Sequence, residues 1–267
     1  MTYWRYWQLN AAPFTDDSPH NFYQGGSVQE ALARIEFLIG HNRQVGTLVG
    51  DSGSGKSALL RFVGTVPALS PQAPNVQWLY TSMLGKGEGE LVGEIASRLS
   101  GRRWGGNSLD AWRELCDYFV AAEREDLRVA LLVDDVESAS AGAEVDLQRL
   151  LSKPFSMTLI LAVQTQLIKA IGGGLIERSE LQIELPSWPE SQTAEFLATV
   201  TRSLGRAEPV FTDRAISQIQ QLSQGNPRRI IQLTDLALVA GAVSQADFVD
   251  VDCIEQVAWE LPNNVAA

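Results

Sequence analysis

Hydrophobic and polar positions along the chain follow two alternating rhythms. Short apolar runs at Val45 to Val49, Val76 to Tyr80, Val129 to Val133, Thr158 to Val163 and Leu181 to Leu185 have the length of strands. Between them lie longer stretches with apolar residues three and four apart, the spacing of helices with one buried stripe. Strands alternating with helices predict an α/β fold, a parallel sheet covered by helices on both faces. The first helix is signalled by Ser27-Val28-Gln29-Glu30, a Ser-x-x-Glu capping box. Val28, Ala31, Leu32, Ile35, Leu38 and Ile39 follow on one face, with Gly40 as the stop. A later helix after Asn107-Ser108 carries Leu109, Trp112, Leu115, Cys116, Phe119 and Val120 in one stripe.

After Pro186-Ser187-Trp188-Pro189 the strand pattern ends. Helical stretches follow near Pro189 to Leu204, Asp213 to Ser223, Pro227 to Ala240 and Asp252 to Leu261. The expected organisation is therefore an α/β domain over residues 1–186, opened by an N-terminal segment 1–26, and an all-helical domain over 187–267.

Composition narrows the class without changing the fold. The chain has 267 residues, 45% hydrophobic and 20% charged, the profile of a globular protein with a full core. Its longest apolar stretch, Leu236 to Val243 with Gly241 counted, is far shorter than a spanning helix. The N-terminus shows no basic-then-apolar signal pattern, so a cytoplasmic protein without direct membrane insertion is expected. Cys116 and Cys253 stand alone in sequence and read as small buried hydrophobes rather than as a disulfide or a zinc site. The net charge is -11, divided as -6 before residue 187 and -5 after it. Such a field repels nucleic acid, so DNA binding would need a local basic patch.

The strongest chemical signal is Gly50-Asp51-Ser52-Gly53-Ser54-Gly55-Lys56-Ser57, a full match to G-x-x-x-x-G-K-[ST]. An apolar strand precedes it and a helical pattern from Lys56 through Ala58 to Val63 follows. That context suits the mechanism: glycines let backbone N–H groups curl around a phosphate, and the helix N-terminus adds partial positive charge. Lys56 would contact the β and γ phosphates and Ser57 would ligate Mg²⁺. Gly50-Asp51-Ser52-Gly53 also resembles the nucleophile segment of trypsin-like serine proteases. Only His20 and His41 exist, however, and apart from Asp51 only Asp16, Asp17, Glu30 and Glu36 precede Ser52, too little chain for a triad.

The second element is an apolar strand ending in acid, Val129-Ala130-Leu131-Leu132-Val133-Asp134-Asp135. Asp134 is placed to hold the hydrated metal. Asp135 occupies the position of a base that polarises the attacking water. It is one methylene shorter than Glu, so slow hydrolysis is expected.

With both motifs placed, the chain resembles AAA+ ATPases of the general secretion pathway protein A type, related to transposition-helper ATPases and more loosely to origin-recognition ATPases. The resemblance runs from about Trp7 to Leu261 and includes Trp7-Gln8-Leu9-Asn10-Ala11-Ala12-Pro13-Phe14. It implies a P-loop five-stranded parallel sheet in the order 5-1-4-3-2, a helical lid, and ATP with Mg²⁺ bound between them. In Leu161-Ala162-Val163-Gln164-Thr165-Gln166-Leu167 it makes Gln164 the sensor of the γ-phosphate, although an inward Gln is equally a hydrogen-bonded core residue. In Leu175-Ile176-Glu177-Arg178 it makes Arg178 a finger acting on a neighbouring subunit's nucleotide, the alternative being a solvated surface Arg. Gly225-Asn226-Pro227-Arg228-Arg229-Ile230-Ile231 resembles the family's lid signature, with Arg228 as its sensor arginine. Three departures bear on turnover rather than binding: Val136-Glu137 stands where Ala-Gln is usual, Asp135 where Glu is usual, and Ile231 where Asn is usual.

The implied function is an ATPase that oligomerises with ATP and drives or switches assembly of a partner complex of a secretion or other membrane-associated system. Larger secretion proteins of this type add a membrane span and a wall-binding domain, so any anchoring here is expected to come from the partner. The alternatives are an ATP-loaded scaffold that barely hydrolyses, a DNA-coating regulator of the transposition type, and a P-loop small-molecule kinase. For the DNA reading the candidate grip is Gly101-Arg102-Arg103-Trp104-Gly105-Gly106. Tyr3, Trp4, Tyr6 and Trp7 crowd the N-terminus, either covering a core or offering a partner interface. Asp247, Asp250 and Asp252 are read as capping or flanking the last helix rather than as a calcium site, since no loop of the required ligand spacing surrounds them.

Overall fold

A computed structural model describes residues 2–14, 22–65, 75–103, 107–171 and 174–261. Asp16, Asp17, His20, Trp104, Gly105 and Gly106 lie outside the described residues. Contacts divide the chain into two units, one of Val28–Ser52 with Lys56–Leu185 and one of Met1–Ser27, Gly53–Gly55 and Pro186–Ala267.

The first unit is built on strands β1 (Val45–Gly50), β2 (Val76–Ser82), β3 (Arg128–Asp134), β4 (Met157–Gln164) and β5 (Leu181–Leu185). They form one parallel sheet in the order β2-β3-β4-β1-β5, the order the resemblance implies. Every residue of β1 is buried, as is every residue of β3 after Arg128, which is why these strands read as continuous apolar runs rather than alternating ones. Val129, Leu131, Val133, Leu159, Leu161 and Val163 share one core cluster with residues of the helices α4 (Glu90–Ser100), α5 (Ser108–Arg124) and α6 (Ala141–Leu151). Helix α2 (Gly26–Gly40) approaches β1 closely at Gly46, where an added Cβ would lie 2.2 Å from Leu38 Cδ1.

Two local expectations change. Helix α2 starts at Gly26, so Ser27 sits inside the first turn, where its Oγ accepts from Gln192 Nε2 at 3.3 Å. In α5, Leu109 and Val120 are 60% and 49% exposed. The buried stripe is Ala111, Trp112, Leu115, Phe119 and Ala122, with Cys116 packed half-buried beside it. Leu109 belongs to the first turn, opened by Asn107, whose side chain accepts from Leu109 N; Val120 falls on the solvent side of Phe119.

The second unit contains α7 (Glu190–Ser203), α8 (Asp213–Ser223), α9 (Pro227–Ser244) and α10 (Val251–Ala258), together with the short α1 (Tyr3–Tyr6). The N-terminal segment therefore departs from the sequence-based assignment to the α/β domain. Trp7 is the reason: it is 1% exposed, its Nε1 donates to Leu238 O at 2.7 Å, and its ring fills the space left by Gly241. Tyr3 OH donates to Asp235 Oδ1 at 2.5 Å and Tyr6 OH to Ala246 O at 2.8 Å, so the polar tips of Tyr3, Tyr6 and Trp7 are satisfied within the helical unit. Asp250 caps α10, accepting from Cys253 N at 3.2 Å.

Gly225 ties the start of this unit to α9. Its φ is +73°, its carbonyl accepts from Trp188 N at 2.8 Å, and an added Cβ would fall 2.2 Å from Trp188 O. A side chain would meet both a left-handed backbone and another backbone, which flexible side chains cannot relieve. Gly225→Ala is expected to destabilise the protein by about 2–4 kcal/mol, read as a lowered urea midpoint. An unchanged midpoint would show that this junction tolerates displacement.

Candidate nucleotide-binding site

The carboxyl ends of adjacent strands collect the predicted residues. Gly50 at the end of β1 is in register with Gln164 at the end of β4, and Asp134 at the end of β3 is in register with Ser82 at the end of β2. In a parallel α/β sheet this edge is where ligands bind, because loops and helix N-termini converge there.

From Gly50 the chain runs through Asp51, Ser52, Gly53, Ser54 and Gly55 into α3 (Lys56–Val63), which carries Lys56, Ser57 and Ala58 in its first turn. Gly53 and Gly55 have φ of +82° and +98°, conformations that suit glycine. Such turns aim successive N–H groups inward, and the first turn of a helix offers N–H groups that its own carbonyls do not engage. Lys56 is 9% exposed; its Nζ donates to Gly50 O at 2.7 Å and Asp51 O at 3.0 Å, so the ammonium spans its own loop. Ser54 Oγ is buried without a hydrogen-bond partner among the described residues. A buried orphan hydroxyl is costly, and a phosphate oxygen is the acceptor such a loop would supply it with. These features fit a nucleotide's phosphate tail.

Asp134 is 2% exposed. Its Oδ2 accepts from Tyr80 OH at 2.9 Å and its Oδ1 from Asp135 N at 3.1 Å, leaving acceptor capacity on both oxygens. Burial, followed by the hydrogen bond to Asp134, pushes the Tyr80 phenol up to about 12, so Tyr80 remains a donor at neutral pH. Asp135 adopts a left-handed conformation, φ 53° and ψ 41°, uncommon for a non-glycine residue and of a kind found at functional sites. Its Oδ2 accepts from Ser82 Oγ at 2.7 Å, and the same hydroxyl accepts from Leu84 N at 3.1 Å. Among the described residues no group of three or more His, Cys, Asp or Glu could hold a metal. A cation here would draw its remaining ligands from phosphates and water, as Mg²⁺ does.

Tyr80 and Ser82 are site residues that the sequence reading missed. The available signal was the polar ending Tyr80-Thr81-Ser82 on an otherwise strand-like run.

The remaining predicted residues fall in different settings. Gln164 ends β4 beside Gly50. Arg178 is exposed and its Nη1 donates to Leu151 O at 3.3 Å, complementing the carboxyl end of α6. Arg228 is exposed in the first turn of α9. Its backbone N–H donates to Gly53 O at 3.2 Å, one of the contacts that group Gly53–Gly55 with the helical unit. Arg102 is exposed and pairs with Glu114 at 3.7 Å.

Comparison with known proteins follows the same lines. Residues 39–171 match the AAA domain family. No curated protein matches the chain. Among solved structures it is similar to the Thermotoga maritima RuvB Holliday junction branch migration motor, with TM-score 0.59 and 17% identity over 89% of this chain and 70% of that one. It is also similar to the Aeropyrum pernix ORC1 protein in complex with DNA, with TM-score 0.67 and 16% identity over 87% of this chain and 64% of that one. For the Aeropyrum pernix ORC2 protein the TM-score is 0.63 at 17% identity, over 96% of this chain and 71% of that one. At these identities the likeness is one of fold. Residues 39–171 are thus similar to AAA domains, and the chain shares the P-loop fold of these solved structures, a five-stranded parallel sheet with helices.

Proposed function

We propose that the protein binds ATP with Mg²⁺, hydrolyses it slowly, and uses ATP-dependent oligomerisation to switch the assembly of a protein complex, of the secretion or membrane-associated kind that the general secretion pathway protein A resemblance suggests. The observation that carries this reading is the placement of the Gly50–Ser57 loop and the Asp134–Asp135 pair at the same edge of one parallel sheet.

In this reading the backbone amides of Gly53 to Ser57 and the Lys56 ammonium bind the phosphates, with Ser57 and Asp134 holding Mg²⁺. The metal supplies charge neutralisation for the phosphoryl group. Tyr80 orients the Asp134 carboxylate by donating to Oδ2, as Asp135 N does by donating to Oδ1, and the remaining lone pairs of both oxygens would hold the hydrated metal. Asp135 takes a proton from the attacking water. Ser82 pins one of its oxygens, and its side chain is short; both favour slow turnover. Gln164 and Arg228 sense the γ-phosphate.

Arg178 acts in trans. Its exposure leaves it able to reach a neighbouring copy, and its part-buried bond to Leu151 O is a long one at 3.3 Å. ATPase activity per molecule is expected to rise with protein concentration and to fall about 10³-fold in Arg178→Ala, the scale of an arginine finger. Concentration-independent turnover that survives this substitution would contradict the role and favour a self-contained kinase-like site.

The Ser82–Asp135 hydrogen bond also supports a second reading, an ATP-loaded scaffold that scarcely hydrolyses; an inactive wild type awakened by Asp135→Glu would select it. The DNA-related solved structures raise a DNA partner. The charge of -11 and the pairing of Arg102 with Glu114 weigh against it.

A further inference from the structure

Helix α9 carries more apolar surface than its own unit covers. From Leu236 to Val243 the sequence is uninterrupted by any polar side chain, and a helix apolar all round is ordinarily buried all round. Here Leu233, Ala237, Leu238 and Gly241 make the buried face. Val239 and Val243, one turn apart on the other side, are 37% and 80% exposed. Phe248, just beyond the end of the helix, is 51% exposed. Neighbouring large hydrophobics left in water on one element mark an interaction surface more often than a fold requirement.

The chain that follows this face carries charge of one sign, while the exposed Arg5 of α1 is a cation on an element packed against α9. No Lys, Arg or His follows Arg229 in the chain, whereas Asp247, Asp250, Asp252, Glu255 and Glu260 are all exposed. Asp247 directly precedes Phe248 and Asp250 follows it by two residues. An acidic rim repels anionic membranes and polyanions and attracts a cationic partner. Apolar anchors one helical turn apart match the side-chain spacing of a second helix.

We propose that the outer face of α9 at Val239 and Val243, with Phe248 in the segment that follows the helix, is a docking surface for a basic amphipathic helix of a partner protein. It stands independently of the nucleotide site. The partner's apolar stripe covers Val239, Val243 and Phe248 while its Lys and Arg side chains meet the acidic rim.

The test uses the full chain and three labelled peptides of about 18 residues, five helical turns, read by fluorescence anisotropy: a Leu/Lys amphipathic helix, a Ser/Lys peptide of equal charge, and a Leu/Glu helix. The Leu/Lys helix is expected to bind at least about tenfold more tightly than either other peptide. Its affinity is expected to fall with added salt and to drop about tenfold or more in the Val239→Ser, Val243→Ser double variant. Both substitutions are at exposed positions and leave the net charge unchanged, so an unaltered melting curve separates loss of docking from loss of fold. Equal binding of the Ser/Lys peptide would overturn the proposal, as bulk charge attraction. Equal binding of the Leu/Glu helix, or undiminished affinity in the double variant, would also overturn it. So would a wild-type dimer in light scattering that the double variant converts to monomer, because the face would then belong to a second copy of this chain.

Discussion

Lys56→Ala is expected to weaken ATP binding by about 10²-fold or more, measured by titration calorimetry with a non-hydrolysable analogue. The size follows from the bonds at stake. Lys56 is nine-tenths buried, and Gly50 O and Asp51 O hold its ammonium across the loop. A charge-assisted hydrogen bond is worth about 1.5–3 kcal/mol, and in the proposed site this residue would make such bonds to two phosphates. Loss of even one in a site whose other donors are fixed amides corresponds to about one to two decades in Kd. Undiminished affinity in a folded Lys56→Ala protein would remove Lys56 from the site.

The second large effect concerns Asp135. Asp135→Asn preserves the shape of the side chain and its capacity to accept from Ser82, while removing the basic oxygen. Turnover is expected to drop about 10²–10⁴-fold, the range for loss of a positioned general base, with ATP affinity changed by less than about threefold, the signature of an interaction made only in the transition state. Steady-state phosphate release and equilibrium binding on the same preparation separate the two quantities. Equal turnover in wild type and variant would place the base elsewhere. Equal losses of binding and turnover would instead mark Asp135 as a ligand of the bound nucleotide.

Much of this was legible in the sequence because it is written in local rules. The three central strands, β1, β3 and β4, are buried and read as apolar runs, and a G-x-x-x-x-G-K-S segment between a strand and a helix has few structural solutions. Asn107, Ser140, Thr212, Asn226 and Asp250 all act as N-caps through their side chains, the chemistry their short polar groups favour. What escaped reading depends on partners distant in sequence. Trp7 finds Leu238 O and Gly241 across more than two hundred residues, and no periodicity in Tyr3-Trp4-Arg5-Tyr6-Trp7 discloses that destination. Tyr80 and Ser82 became site residues only when β2 was set beside β3, in a register that puts Ser82 opposite Asp134. Leu109 and Val120 were misread because one apolar residue at either edge of a helical stripe satisfies the spacing rule equally well whether it faces core or water. Val239 and Val243 conceal the opposite lesson, since an apolar run gives no sign of which of its faces the rest of the unit will leave open.

The account's central claim is that the loop from Gly50 to Ser57 cradles the phosphates of ATP. A crystal structure grown with Mg²⁺ and a non-hydrolysable ATP analogue tests it most directly. The account predicts phosphate oxygens against the amides of Gly53 to Ser57 and against Lys56 Nζ, with the metal between Ser57 and the Asp134 side. Nucleotide bound elsewhere, or a loop that excludes it at saturating concentration, would contradict the account.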